Sequence, residues 1–453
     1  MSSEQQPRPP EHVAVYNGLL EDAALAAASV ERFREGQLRR RLTFGDRTVS
    51  IALRPNLLTR ERHAAAMTAA RSIHGALRRL EQALLRNPEL REELDMDPEE
   101  ERLALAEPGF RSSSPSSRLD SFFSDEVRYV EYNAESPAGM AYEDMMAEVF
   151  SQLPVIREFR KRYRLRPMPV RRQQMTAMLR AFRQWGQGEQ PVVAIVDWTG
   201  LPTAREFDLF RDFFEQKGVR TLIGDPGSLE YRRGRLYLRG QAVNLVYRRV
   251  LTSELLSRPD EARALVEAYL DGAVCVVNSF RAKLLHRKMS FALLSDDQHG
   301  DLYNAGQRAA IERYIPWTRK VREGPSTRDG RRVPDLMEYI ARHRPELVLK
   351  PNDEYGGKGV VLGWTAEQSA WDKALKDALR GSYVVQEAVE VPREPFPVAL
   401  EEIRLMDLAI DLDPYLFDGR PGGVLTRLSS SALLNVTAGA GSIVPTYLVE
   451  GRA

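Results

Sequence analysis

A lysine-bearing strand, a glycine-rich loop and a second strand together limit most strongly how this chain can fold. Segment 347–363 begins as an apolar run that delivers Lys350, and it ends in a second apolar run. The loop between the runs contains Gly356, Gly357, Lys358 and Gly359. Glycines let backbone N–H groups approach phosphate oxygens, and a lysine is a compact charge suited to them. The order strand, loop, strand is not that of a Walker site; the alternative is a plain β-hairpin with incidental lysines.

A further predicted strand, 383–389, ends in polar residues. It contains Gln386 and Glu387, whose carboxamide and backbone groups can meet an adenine edge. Alone, such a pair at a strand end is usually solvated surface. Following Lys350 and the glycine-rich loop, it resembles the nucleotide-binding half of an ATP-grasp enzyme, which implies a nucleotide site.

Residues 118–137 read as two antiparallel strands with a turn at 124–126. Alternation puts Glu131 and Asn133 on one face of the second strand, and Asp120 opposes them across the hairpin. Arg118 shares the face of Asp120 and can contact a transferring phosphoryl group. Two carboxylates and a carboxamide oxygen are the hard ligands that Mg²⁺ prefers. The alternative is a charged surface hairpin.

Together these motifs resemble the circularly permuted ATP-grasp enzymes, glutathionylspermidine synthase among them. The Arg-x-Asp and Glu-Tyr-Asn-Ala-Glu-Ser-Pro motifs come before the lysine and glycine motifs, whereas ordinary ATP-grasp enzymes have their metal ligands after the Gln-Glu strand. The resemblance implies that ATP lies between two subdomains. It also implies two Mg²⁺ ions, replaceable by Mn²⁺, held by Asp120, Glu131 and Asn133.

Two more segments carry the resemblance. Segment 284–294 resembles the family's Asn-Lys-apolar-Leu-Leu helix, so Lys288 becomes the second phosphate ligand beside Lys350. Segment 417–427 resembles the strand whose arginine meets the γ-phosphate and the acyl-phosphate, a role that falls to Arg427. No segment of this sequence resembles the amidase domain of the synthase, and segment 434–441 resembles shorter permuted relatives. Glutathione and spermidine are therefore not implied as substrates.

The predicted fold class is α/β (α+β), a circularly permuted ATP-grasp fold with a Rossmann-like pre-ATP-grasp layer and an N-terminal helical extension. The periodicity of 58–93 predicts a helix, and the strand–helix–strand order across 192–223 predicts a parallel unit. The predicted segments are a disordered tail (1–12), a mainly helical extension (13–110), an ATP-grasp part with the metal motif (111–190), a pre-ATP-grasp-like α/β substrate domain (191–278) and an ATP-grasp part with the nucleotide-binding lysines and glycine loop (279–453).

Local patterns give four smaller predictions. Residues 43–53 are predicted as a strand pair turning at Gly45 and Asp46, and residues 236–247 as a hairpin. Residues 255–270 are predicted as one helix. The basic, turn-rich segment 319–332 is predicted as a mobile loop that could act as a lid.

Composition removes several classes of function. Lys and Arg total 65 against 64 Asp and Glu, so no global field favours nucleic acid or an anionic membrane. The lone Cys275 excludes an internal disulfide framework, and the six histidines lack close metal-ligand spacing. No apolar run approaches the roughly 20 residues of a membrane span, and the polar N-terminus lacks a secretory signal. We expect a cytoplasmic protein that binds neither nucleic acid nor membrane.

The function that the resemblance implies is an ATP-dependent carboxylate–amine ligase. It would form an amide or peptide bond through an acyl-phosphate, releasing ADP and phosphate, with small-molecule or peptide substrates. The alternatives are an ATP-dependent phosphotransferase on the same fold and a non-catalytic nucleotide-binding protein. A homodimer is common among ATP-grasp relatives.

Weaker candidates surround these motifs. Three residues are substrate-binding candidates: Ser136 follows the metal motif, Arg248 ends a strand, and Arg281 precedes the Lys288 helix. The alternative for Arg281, with Asn278 and Lys283, is an exposed turn. His286 is predicted to be a packing or surface histidine, and Cys275 a buried core residue.

Overall fold

The computed structural model describes residues 9–45, 47–186, 188, 190–431, 434 and 441–452. Three predictions lie partly outside these residues: the tail 1–12, the turn at Gly45 and Asp46, and the segment 434–441. Within the described part, the first helix already begins at Glu11, so the predicted tail is wrong for its last two residues. An acidic residue in the first turn favours helix formation because it faces the positive end of the helix dipole.

Helices occupy much of the N-terminal third and then alternate with strands. In chain order they are α1 Glu11–Leu19, α2 Ala23–Arg39, α3 Arg60–Arg86, α4 Pro88–Glu92, α5 Pro98–Leu105, α6 Met140–Ser151, α7 Pro154–Phe159, α8 Arg171–Trp185, α9 Ala204–Gln216, α10 Thr252–Leu256, α11 Pro259–Leu270, α12 Lys283–His286, α13 Met289–Ser295, α14 Ala305–Tyr314, α15 Leu336–Arg342 and α16 Gln368–Arg380. Short 3₁₀ helices cover Pro226–Ser228, Phe280–Ala282, Asp297–Leu302 and Arg344–Glu346.

Strands are short and belong to several sheets. In chain order they are β1 Thr43–Phe44, β2 Arg47–Thr48, β3 Asn56–Leu58, β4 Ser116–Phe123, β5 Val127–Asn133, β6 Tyr163–Pro167, β7 Val192–Val196, β8 Arg220–Gly224, β9 Leu229–Arg232, β10 Arg235–Leu238, β11 Gln241–Val243, β12 Leu245–Arg248, β13 Cys275–Val277, β14 Thr318–Lys320, β15 Ser326–Arg328, β16 Arg331–Val333, β17 Leu347–Pro351, β18 Val361–Leu362, β19 Tyr383–Glu387, β20 Arg393–Ala399, β21 Ile403–Ile410, β22 Asp413–Phe417, β23 Arg420–Ser429, β24 Ser442–Val444 and β25 Thr446–Gly451.

A seven-stranded antiparallel sheet combines distant parts of the chain. Its order is β20-β21-β23-β22-β4-β5, and β24 pairs with β23. The hairpin β4–β5 therefore lies beside strands that follow it by almost 300 residues. Helix α3 covers this hairpin with an apolar face that includes the fully buried Ile73, Leu77 and Leu80. The sheet thus carries functional candidates from both ends of the sequence.

A separate four-stranded sheet of order β13-β12-β7-β8 is parallel throughout. The predicted strand–helix–strand unit is confirmed as β7, α9 and β8. The buried apolar runs of β7 and β12 are typical of parallel strands that are covered on both faces. Cys275 lies in β13 and is fully buried, as predicted.

An antiparallel sheet of order β14-β19-β17-β18 carries the predicted nucleotide motif. The glycine-rich loop joins β17 to β18, which confirms the predicted strand, loop, strand order. The predicted mobile loop 319–332 is instead β14 and the hairpin β15–β16. Arg319, which is 4 % exposed, donates to the Thr327 hydroxyl at 3.1 Å, and the Trp317 indole donates to the Thr327 carbonyl at 2.8 Å. These partly buried hydrogen bonds hold the segment in place.

The N-terminal extension reaches the nucleotide motif through the residues between α4 and α5. The Leu94 carbonyl accepts a hydrogen bond from Asn352 Nδ2 at 2.9 Å. The Asp95 carboxylate accepts from Lys320 Nζ at 2.6 Å and from the Ser382 hydroxyl at 2.9 Å. The extension is therefore part of the support of the sheet that carries Lys350.

Three local predictions need correction. The hairpin predicted over 236–247 pairs β10 with β11 only, because β12 leaves for the parallel sheet. The helix predicted over 255–270 is two helices, since Pro259 starts α11 and cannot continue α10. The segment 284–294 is also broken: Arg287 is extended, and Lys288 is the N-cap residue of α13.

Among the described residues, no single helix is both long and apolar enough to cross a bilayer. The pair α1 and α2 meets the length and composition together, with a bend of 92° between them. Both helices contribute to the apolar core, through residues such as Tyr16 and Phe33.

Candidate active site

The hairpin β4–β5 sets out the predicted metal ligands by its register. Arg118 pairs with Asn133 across the hairpin, and Asp120 pairs with Glu131. The two antiparallel strands and the turn at 124–126 are thus confirmed. Asn133 Nδ2 lies 2.8 Å from Asp120 Oδ1, so the carboxamide and the carboxylate meet directly. The bulge after Asp120 shifts the register beyond this point only.

Two arginines converge on Asp120. Arg118 donates to both carboxylate oxygens, at 2.7 and 2.9 Å, and Arg427 Nη2 donates to Oδ2 at 2.8 Å. Burial raises the pKa of Asp120, but Arg118 and Arg427 outweigh burial, so the pKa lies well below its usual value. The carboxylate is therefore ionised and accepts four donors in all, counting Asn133.

Two further acids, which the sequence motifs did not identify, complete this group. Asp411 accepts hydrogen bonds from the backbone N–H and the Nε of Arg427, both at 2.6 Å. Asp413 accepts one from the Ser121 backbone N–H at 2.9 Å. We call the set Arg118, Asp120, Asp411, Asp413 and Arg427 the arginine cluster. The signal in the sequence is Asp-Leu-Asp, in which two acids at alternate positions precede an apolar strand.

Lys288 and Lys350, which we call the lysine pair, lie near Glu131 of the same hairpin. Lys288 Nζ donates to the Glu354 carbonyl at 2.6 Å and lies 3.4 Å from Glu131 Oε1. Lys350 Nζ donates to Gln386 Oε1 at 2.6 Å. Burial and the neighbouring Lys288 lower the pKa of Lys350 to about 8, although Glu131 and Asp120 act in the opposite direction.

The end of β19 supports Lys350. Gln386 is 2 % exposed, and its amide donates to the Thr318 hydroxyl at 2.9 Å. Its carboxamide oxygen is therefore fixed toward Lys350. Glu387, the last residue of β19, accepts a hydrogen bond from Arg328 at 2.6 Å, so its carboxylate already has a partner within the fold.

The glycine-rich loop is exposed and has left-handed residues. Gly356, Gly357 and Gly359 have φ of 64°, 77° and 71°, a region that favours glycine. A Cβ on Gly359 would lie 2.7 Å from Pro351 Cγ, so this position also lacks space. Lys358 is mostly exposed and lies 3.0 Å from Glu354. The side chain of Lys358 points along the loop rather than joining the lysine pair.

The weaker substrate candidates lie in different surroundings. Arg248 is fully buried and donates to Glu135 at 3.0 Å and to the Asn278 carbonyl at 3.2 Å. Arg281 donates to the Ala106 carbonyl at 3.0 Å, at the end of α5. Both guanidinium groups are thus engaged in contacts within the fold. Ser136 is half-buried directly after the metal hairpin.

The turn predicted as exposed is instead a buried polar network. Asn278 is 1 % exposed, and Lys283 is fully buried. Lys283 Nζ lies 2.6 Å from both oxygens of Asp353 and 3.3 Å from Glu135 Oε2. His286 faces the same carboxylates, with Nε2 3.8 Å from Glu135, and its pKa is lowered by burial. An ammonium group therefore supplies the positive charge at the centre of this network.

The chemistry of the donor set fits a magnesium ion. Asp120 and Glu131 offer carboxylates, and Asn133 offers a carboxamide whose oxygen and nitrogen can exchange places by a turn of the amide. In this structure the Asp120 oxygens accept from arginines and from Asn133. Binding of a cation there therefore requires these donors to release Asp120.

Comparison with solved structures agrees with the mixed α/β fold. No family model matches the chain. A solved structure of a glutathione synthetase-like effector from Globodera pallida, in its apo form, aligns with a TM-score of 0.59 at 11 % identity, over 97 % of this chain and 98 % of that one. The chain therefore has a mixed α/β fold of the glutathione synthetase kind. The circular permutation and the Rossmann-like layer stay predictions.

Sequence relatives are distant. The chain is 25 % identical over 260 residues to an uncharacterized protein of Synechocystis sp., covering 52 % of this chain and 49 % of that protein. It is 25 % identical over 272 residues to a protein of Frankia alni provisionally named glutamate–cysteine ligase 2-3, covering 56 % and 29 %. The chain spans about half or less of the length of these curated relatives.

Proposed function

We propose that this protein is an ATP-dependent ligase that joins a carboxylate to an amine. The single observation that carries the proposal is the convergence of the lysine pair with the metal candidates: Lys288 Nζ lies 3.4 Å from Glu131 Oε1, and the same hairpin holds Asp120 among two arginines. Lysines for phosphate, oxygen ligands for a cation and arginines for a transferred phosphoryl group are the parts that such chemistry requires.

The reaction has two steps. A substrate carboxylate oxygen attacks the γ-phosphorus of ATP, the bond to the β–γ bridging oxygen breaks, and ADP leaves. An amine nitrogen then attacks the acyl carbon, loses a proton and displaces phosphate. The first step is needed because a carboxylate is a poor acylating agent, and phosphorylation supplies its leaving group.

In this proposal each group of residues has one task. Lys288 and Lys350 bind the phosphates, and Gln386 keeps Lys350 in position. Arg118 and Arg427 stabilise the charge that develops on the transferred phosphoryl group. The glycine-rich loop covers the phosphates and excludes water, which would otherwise hydrolyse the acyl-phosphate.

Asp120, Glu131 and Asn133 would hold magnesium, two ions in the relatives that the motifs resemble, with Mn²⁺ as a substitute. The cation would neutralise phosphate charge and orient the nucleotide. MgATP is abundant in the cytoplasm, which is the compartment that we propose. Ser136 stays a proposed substrate contact because it is half-buried beside the hairpin.

The test is ADP release from the purified full chain with MgATP and pooled amino acids, small peptides and polyamines. Asp120→Ala serves as the blank. Asp125→Ala is the matched control, because Asp125 is an exposed aspartate in the turn of the same hairpin. We expect acceptor-dependent ADP release from the wild type and the control, and none from the blank.

Other outcomes point elsewhere. Full ADP release by Asp120→Ala would contradict the assignment of the metal site. A stable phosphorylated product without an amide would favour a phosphotransferase, and nucleotide binding without turnover across the panel would favour a non-catalytic protein.

A further inference from the structure

The short connection from β21 to β22 places two buried acids against the arginine cluster. Asp411 is 2 % exposed and Asp413 is fully buried. Buried carboxylates are costly unless paired, so both must serve as partners of buried donors. Neither residue belongs to the predicted metal or nucleotide motifs.

Asp411 holds Arg427 by both its main chain and its side chain. One carboxylate oxygen accepts from the Arg427 backbone N–H, and the other accepts from Nε, each at 2.6 Å. This two-point contact fixes the start of the side chain and the plane of the guanidinium group. No described residue accepts a hydrogen bond from Arg427 Nη1, which leaves that edge of the group open.

Asp413 contributes from the other side. Its Oδ2 lies 2.9 Å from Arg427 Nη2 and 3.9 Å from Arg118 Nε, without the alignment of a hydrogen bond. Its Oδ1 accepts from the Ser121 backbone N–H, next to Asp120 in β4. Arg427 Nη2 is therefore shared between Asp413 and Asp120, whose Oδ2 lies 2.8 Å away.

This sharing matters because Arg427 and a divalent cation would compete for the Asp120 carboxylate. A cation at Asp120 would have to displace Arg427 Nη2, and Arg427 then needs another carboxylate. Asp411 and Asp413 are already in place for this purpose. Without them, Asp120 would be the remaining carboxylate partner of Arg427 in the arginine cluster and would release it less easily.

We propose that Asp411 and Asp413 are positioning residues that retain Arg427 and thereby free Asp120 to bind a divalent cation. The proposal rests on the proposed function, since it assumes a cation at Asp120 during nucleotide binding. It deepens that function by adding two acids that act through Arg427 and touch neither cation nor substrate.

The test is direct binding of Mn²⁺ in the presence of a non-hydrolysable ATP analogue, measured by electron paramagnetic resonance of the free ion. The variants are Asp411→Asn and Asp413→Asn. Residues that support a metal ligand typically change metal affinity by about 10- to 100-fold, so we expect a loss of about tenfold for each variant. Asp407→Asn, an exposed aspartate of the same strand β21 that pairs with Arg393, is the matched control and should bind as the wild type does.

A double-mutant cycle separates this role from a general structural effect. In an Arg427→Met background no guanidinium group competes for Asp120 from that side. Asp411→Asn should then change Mn²⁺ affinity by less than about twofold. An equal loss in both backgrounds would overturn the proposal, and so would wild-type affinity in Asp411→Asn and Asp413→Asn.

Two controls keep the outcomes distinct. If Asp411→Asn does not fold, as judged by its thermal unfolding, Asp413→Asn carries the same test, because Asp413 faces Nη2 directly. If the wild type itself binds neither Mn²⁺ nor the nucleotide analogue, the proposed function fails and the positioning role fails with it. If the wild type binds and the cycle is additive, only the positioning role fails.

Discussion

The arginine cluster and the lysine pair hold positive charge in opposite ways. Arg118 and Arg427 each hydrogen-bond to carboxylates, whereas Lys288 and Lys350 donate to neutral oxygens, the Glu354 backbone carbonyl and the Gln386 carboxamide. Glu131, 3.4 Å from Lys288, is the carboxylate nearest to the lysine pair. The lysine pair therefore has charge to offer to an incoming polyphosphate at once. The arginine cluster offers charge only when a carboxylate changes partner. In the proposed function, this difference suits the lysines to nucleotide binding and the arginines to phosphoryl transfer.

Asp120→Asn, which disrupts the arginine cluster, should have the largest effect on activity of the variants proposed here. The variant keeps the side-chain shape but removes the charge that both arginines share and that a cation would need. We expect a loss of about 10³-fold or more in acceptor-dependent ADP release, because transition-state charge would lose both supports. Steady-state kinetics measures the loss, and a decrease below tenfold would contradict the role of Asp120.

Lys350→Met should break the lysine pair with a smaller effect. It removes a half-buried ammonium group, the proposed phosphate ligand, and we expect about a 100-fold rise in the dissociation constant of the nucleotide. Equilibrium binding of a fluorescent ATP analogue measures it. Asp120→Asn, in the same assay without metal, should change nucleotide affinity much less.

The pH dependence of nucleotide binding should distinguish the two groups. Because the pKa of Lys350 is lowered to about 8, this lysine is protonated below that pH and becomes neutral above it. Nucleotide affinity should therefore fall as pH rises through about 8, by at most tenfold per pH unit. Lys350→Arg should remove this dependence, since a guanidinium group stays charged. An identical pH profile in the variant would contradict the assignment.

Gly359→Ala should sharpen the comparison by disturbing the loop that adjoins the lysine pair. The new Cβ would meet Pro351 in addition to the cost of a positive φ. We expect about a tenfold rise in KM for ATP with a smaller change in kcat. Gly356→Ala is the matched control: its φ is similarly positive, but nothing lies within 4 Å of the added Cβ. An equal effect of the two variants would mean that backbone strain alone explains the result.

Lys358→Ala should have the smallest effect. Lys358 is exposed and forms a surface ion pair with Glu354, and such pairs contribute little. We expect KM for ATP to change by less than about twofold. A tenfold change would show that Lys358 joins Lys288 and Lys350 when nucleotide binds.

Local patterns were sufficient for the elements on which the site is built. Alternation alone predicts that Asp120, Glu131 and Asn133 share a face, and the register of the hairpin agrees. The glycine-rich loop was predictable because its glycines lie between two short apolar runs, each of which is a strand. Both features depend on residues close together in sequence.

Features that depend on distant partners were not predictable. Asp411 and Asp413 look like surface acids until β22 pairs with β4, which carries Arg118, and with β23, which carries Arg427. The burial of Lys283 likewise requires Glu135 and Asp353, which are 148 and 70 residues away in sequence. The periodicity of a local segment does not reveal such ion pairs, because the charged residues meet only in the folded chain.

The hydrogen bond from Asn352 to the Leu94 carbonyl has a practical consequence for dissecting this protein. Asn352 also accepts from the backbone N–H groups of Lys288 and Met289, at 3.0 and 2.9 Å. A truncated chain that begins after residue 110 would leave the buried amide of Asn352 without the Leu94 acceptor, directly beside Lys288, the proposed phosphate ligand. Deletion of the helical extension should therefore weaken nucleotide affinity. A fragment expressed for study of the site should include the extension.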